Sequence, residues 1–112
     1  MFLLGVLLHR EELLDEVLSL LVESELPDSV VIESRSGLEL LERDLPIFAG
    51  LRSMMPGGGI DFCRLVLCVV EDEAHGRQAL RLIQRLGAED TRPCSEPRNT
   101  VFLVPLSEVE HF

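Results

Sequence analysis

The residues best suited to chemistry in this chain are a few arginines, the histidines and cysteines, and one short run of acids. Arg35, Gly37 and Arg98 are candidates to converge on an anionic ligand. A guanidinium presents planar, paired donors that match phosphate and carboxylate. The alternative is that Arg35 and Arg98 are solvated or paired with surface acids, since exposed ion pairs are common and weak. His9, His75 and His111, with Cys63, Cys68 and Cys94, carry metal-ligating atoms. Cys63 and Cys68 fall at odd spacing on one apolar run, so on a strand they face opposite sides and cannot share a mononuclear site within one chain. Buried thiols packing as small hydrophobes are expected, and no metal site is. Glu71-Asp72-Glu73 has the charge of a cation site, but acids also belong at the start of a helix, and capping is the reading adopted.

Several reaction classes lack their motifs. There is no G-x-S-x-G, no H-E-x-x-H and no glycine-rich phosphate loop before a helix. Gly57–Gly59 leads into an apolar strand-like run, so it has no helix dipole to offer a phosphate and reads as a hinge. All 10 basic residues are arginine. That removes the P-loop lysine, the Schiff-base lysine and the lysine nucleophile. Sensing or binding, and not catalysis, is the expected role.

The 112 residues fit one domain, residues 1–112, with one core. With five Phe and no Tyr or Trp, that core must be built from Leu, Val and Ile. A formal charge of −10 repels phosphate backbones, so nucleic acid is not expected as a partner. An RNA-reading sheet would also need exposed aromatics on its central strands, and only Phe62 and Phe102 flank such positions. No apolar run approaches the ~20 residues of a membrane helix, so no membrane insertion is expected. Phe2–Leu8 lacks a basic leading segment and reads as a buried strand, not a signal peptide. With an odd number of cysteines and no export signal, reduced thiols in the cytoplasm are expected.

The elements that must position these residues follow from the patterning. Residues 2–8 are continuously apolar, as in a central strand buried on both faces. A helix is predicted from about Arg10 to Ser24, with acids in its first turn and a wide leucine stripe. Residues 29–34 read as a second strand and 62–70 as a third. Ser36-x-x-Glu39 resembles a capping box for a short helix over 37–43. Asp72 is the expected N-cap of a second long helix running to about Leu86, with Gly87 as its C-cap. Residues 88–98 read as loop, 99–104 as the fourth strand and 105–112 as a tail. The expected fold is α+β, a ferredoxin-like βαββαβ sandwich with a long insert, 35–61, between the second and third strands. Both faces of its central strands are apolar, so oligomerisation through the face away from the helices is expected.

This arrangement resembles the PII family of nitrogen regulatory signalling proteins over nearly the whole chain. FLLGVLLHREELLDEVLSLLVESELPDSVVIES looks like that family's first βαβ unit, and DFCRLVLCVVEDEAHGRQALRLIQRL like its second strand–acidic turn–helix unit. The insert 35–61 falls where the family carries its T-loop, and 87–98 where it carries its B-loop. The resemblance implies a homotrimer with inward-facing sheets, adenine-nucleotide clefts between subunits, and loops that reach a regulated protein partner. It implies ligand-binding roles for Arg35, Gly37, Arg98 and Asn99. The stretch Pro97-Arg98-Asn99-Thr100 stands where the family has a glycine-rich, lysine-bearing loop, so weak or absent ATP binding is expected. The alternative is a CutA-like or amino-acid-sensing ferredoxin-like module for a metal or small ligand.

The insert itself carries an apolar stretch, DLPIFAGLRSMM, with only Asp44 and Arg52 charged. A passive linker in so acidic a chain would be polar. Pro46 can preset a first helical turn that gathers Ile47, Phe48 and Leu51 on one side, and Met54 adapts to varied surfaces. These five residues are the expected partner-contact or subunit-contact segment. Burying Phe48 is worth roughly 1.5–3 kcal/mol. Phe48→Ala with Leu51→Ala should therefore weaken assembly or capture of a target while the core stays folded. Sedimentation and pull-downs that match wild type in both respects would make the segment a spacer.

Overall fold

The structure, a computed structural model, describes residues 1–37, 40–41, 62–88 and 98–112. It is a mixed α+β arrangement of a four-stranded antiparallel sheet and two long helices. In chain order the elements are β1 (Phe2–Leu8), α1 (Glu12–Glu23), β2 (Val30–Glu33), β3 (Arg64–Val70), α2 (Glu73–Leu86) and β4 (Thr100–Pro105). The sheet order is β2-β3-β1-β4. β1 is antiparallel to both β3 and β4, and β2 to β3. β1 and β2 therefore run the same way with β3 between them, and β3 and β4 do so around β1.

The two central strands bury alternate residues, as a pleated strand must. Leu4, Val6 and Leu8 of β1 are each 1% exposed, and Val66, Cys68 and Val70 of β3 are buried on the same face. Both helices cover this face. Leu13, Val17 and Leu21 recur every fourth residue along α1, and Ala79 and Ile83 do so on α2. Among the described residues the buried core contains no aromatic side chain, only Leu, Val, Ile, Ala and Cys. Gly76 lets α2 settle onto the sheet, since a Cβ there would lie 2.9 Å from Leu103 Cδ1.

The helix ends differ from the predicted ones by a turn or less, for local reasons. α1 begins at Glu12, two residues late, because Arg10 and Glu11 form a tighter lead-in. There Leu13 N–H donates to Arg10 O and Leu14 N–H to Glu11 O. At its other end Glu25 takes a left-handed conformation (φ 63°), and Glu25 N–H and Leu26 N–H return to Val22 O and Leu21 O. That pairing satisfies the last carbonyls, a role glycine usually fills. Asp72 caps α2 by accepting from Ala74 N–H at 3.3 Å. The His75 ring contacts the Ser24 carbonyl and so ties the first turn of α2 to the end of α1. Of the short helix predicted after Ser36, the described residues Gly37, Leu40 and Leu41 are helical.

The opposite sheet face is also apolar, and no described element lies across it. It carries Leu3 and Leu7 of β1, Leu65, Leu67 and Val69 of β3, and Val30 and Ile32 of β2. Val69 is 43% exposed and Ile32 41%. On β4 this face presents Phe102 and Val104, and the Phe102 ring lies across Gly5 on β1, where a Cβ would come within 2.1 Å of Phe102 Cζ. Gly5 thus gives up its own side chain to seat its neighbour's. Gly5→Ala should displace that ring and destabilise the fold by about 1–3 kcal/mol. In a Phe102→Ala background the same change should be neutral or stabilising, because glycine weakens a strand interior. Urea unfolding of the two single variants and the double variant measures this; equal effects in both backgrounds would show that the ring does not depend on Gly5.

Candidate functional site

The strand registers bring four chain segments to one end of the sheet. Glu33 pairs with Arg64, Arg64 with Leu8, and Leu7 with Thr100. The exits of β1 and β2 and the entries of β3 and β4 are therefore neighbours. The two long connections, after β2 and before β4, both have an attachment here. Arg10, Arg35, Arg64 and Arg98 all lie on segments at this end, which concentrates cations in a chain of net charge −10.

Hydrogen bonds tie the segments together. His9 N–H donates to Asn99 Oδ1 at 2.8 Å, joining the exit of β1 to the entry of β4. Ser34 N–H donates to the Cys63 carbonyl at 3.1 Å, and Ser34 Oγ–H to Cys63 Sγ at 3.1 Å. Arg64 is engaged on three sides. It donates to the Cys63 carbonyl at 3.0 Å, lies 3.3 Å from Glu33 Oε1, and sits 4.7 Å from the centroid of the Phe62 ring. Arg10 pairs with Glu12 at the start of α1.

The predicted ligand residues share this end in differing roles. Arg35 and Gly37 are exposed just beyond β2, and Arg98 is exposed just before β4. Asn99 is half-buried, and its side-chain oxygen is used by His9, so one of its functions is to hold the strand ends together. Arg64 was not singled out by sequence reasoning. The available signal was a lone charge inside the apolar run FCRLVLCVV, a position that only a strand end can keep near water. Pro46, Ile47, Phe48, Leu51 and Met54 lie outside the described residues, as does Cys94. Compared with known proteins, the chain matches no family model and no curated protein sequence.

The described thiols are in settings that favour packing over reactivity. Cys63 and Cys68 are both free and buried. Burial, and secondarily the negative charge of Asp28, raise the Cys68 thiol above its ordinary range. Among the described residues no three His, Cys, Asp or Glu side chains come together as a metal set would require. A raised thiol pKa means that the protonated form is favoured in the folded state. The stability this contributes is present below the unfolded thiol pKa and is lost as pH rises through the folded one. Iodoacetamide at about pH 8 should accordingly alkylate Cys68 in the native protein at least about tenfold more slowly than in urea. Peptide mass spectrometry reads this directly, and equal rates would mean that the thiol is accessible and ionised.

Proposed function

We propose that this chain is a PII-like regulatory protein of ferredoxin-like fold. In this reading it acts in the cytoplasm as a homotrimer, binds a small anionic ligand in clefts between subunits, and regulates a protein partner through the insert 35–61. It is not an enzyme. The antiparallel order β2-β3-β1-β4 with two helices on one face is compatible with the ferredoxin-like assignment.

The observation that carries the reading is the apolar sheet face left open by the described elements. Val69, Ile32, Val30 and Val104 are each more than 40% exposed on it. A continuous apolar sheet face has an area on the order of several hundred Å2, beyond what a monomer normally leaves in water. Packing sheets against one another removes that face from solvent. The sheet end then lies at the rim of the assembly, where the exposed Arg35 and Arg98 suit an anion and the insert 35–61 has its root. The ligand is expected to differ from ATP, because Arg98 is the only cation in the stretch Pro97-Arg98-Asn99-Thr100.

Sedimentation equilibrium at micromolar concentration should give about three times the 12.6 kDa chain mass. Val69→Glu, which places a charge on the packed face, should shift the assembly to monomer. Calorimetry with ATP and Mg2+ should show weak or no binding. A stable wild-type monomer would overturn the packing argument and the PII-like reading with it, and tight ATP binding would overturn the inference drawn from the missing glycines and lysine.

A further inference from the structure

At the outer edge of the sheet, away from the site above, α2 and β4 border a cleft that the proposed function does not use. Phe2, Leu80, Leu103 and Pro105 supply apolar lining, and Glu73, Arg77 and Arg81 stand beside them, so that the charged lining is positive by one. Its volume of about 280 Å3 lies just under the usual range for small-molecule sites. Among the described residues β4 has a strand neighbour on one side only, so its outer edge can accept another extended segment.

The charge at this edge is opposite to that of the chain as a whole. Arg77, Arg81 and Arg85 recur every fourth residue and line up along α2. Arg77 pairs with Glu73 at 2.8 Å, but the two side chains are 61% and 52% exposed, so the pair is weak and exchangeable. Among the described residues Arg81 has no ion-pair partner.

The chain carries a segment complementary to this edge. After Pro105 it continues as Leu106-Ser107-Glu108-Val109-Glu110-His111-Phe112, with Glu108, Glu110 and Phe112 exposed. In an extended segment alternate side chains share a face, which puts two such carboxylates about 6.6–6.8 Å apart. One helical turn separates Arg77 from Arg81 by about 6 Å along the axis. Two acids on one strand face therefore match two guanidiniums on the helix. With Glu108 and Glu110 turned towards α2, Val109 falls on the other side of the added strand and extends the open apolar face. A chain's own tail is poorly placed to do this. Leu106 N–H donates to the Met1 carbonyl at 2.9 Å, which keeps the tail in line with β4 and directs it past the cleft.

The geometry points to a docking site for the tail, residues 106–112, of a second copy of this chain. The tail lies along the free edge of β4 with its two glutamates on Arg77 and Arg81. This contact is separate from the apolar sheet face and does not rest on the trimer. A fluorescent peptide spanning 106–112 tests it, titrated into full-length E108K/E110K protein so that resident tails do not compete. Anisotropy should show saturable binding that falls at least about tenfold with Arg81→Glu added and in about 0.5 M salt. A peptide with lysine at both glutamate positions should fail on that protein and bind the otherwise wild-type R77E/R81E chain. Unchanged circular dichroism establishes that the variants fold, as expected for exposed positions. No saturable binding, or binding indifferent to Arg81→Glu and to salt, overturns the proposal. The titration is read as peptide bound per chain, so it can succeed in a monomer or fail in a trimer.

Discussion

Everything in this molecule hangs on the pairing of β1 with β3. The register sets Leu4 beside Cys68 and Val6 beside Val66, which makes one continuous apolar surface for both helices. A slip of one residue would turn that whole set to the other face. The unusual feature is that the other face is apolar too, so alternation alone specifies the register weakly. Two contacts add asymmetry. Gly5 accepts the Phe102 ring on one face, and Gly76 accepts the Leu103 tip on the other. Shifting β4 by one residue would bring both bulky side chains to the wrong surface.

The same pairing decides which segments meet at the candidate site. Antiparallel neighbours place the exits of β1 and β2 beside the entries of β3 and β4, so segments distant in sequence meet at one sheet end. The bond from His9 to Asn99 spans almost the whole chain, and the Ser34–Cys63 contacts close the root of the long insert. Arg64 is held there by a carbonyl, a carboxylate and a ring. The sheet end is therefore a rigid base for two connections, the arrangement a loop-borne binding surface needs.

The charge distribution sets two places apart from the rest of the molecule. Acids outnumber arginines two to one, 20 to 10, so any local gathering of arginine stands against the general field. One gathering lies at the sheet end and the other along α2 beside the β4 edge. Of the two described cysteines, Cys63 helps to hold the sheet end through Ser34 and Arg64, whereas Cys68 is sealed under the helices, where burial raises its thiol pKa.

The elements were legible in the sequence because each depends on neighbours within a few residues. Continuous apolar runs marked β1 and β3, a leucine stripe at helical spacing marked α1, and Asp72 marked the start of α2 by the chemistry of its side chain. Scarce aromatics already required an aliphatic core. Strand neighbours, by contrast, were beyond local reading, and so was everything that follows from them. Apolarity at nearly every position of β1 marked a strand with two apolar faces, and only the structure shows which of them the helices cover. Asn99 looked like a ligand residue, and only the β1–β4 register shows it serving His9. Arg64 drew no notice in the sequence, and only the β2–β3 register sets it opposite Glu33. Helix and strand formation respond to short-range patterns, but which side chains meet across a sheet is decided when distant strands settle their register.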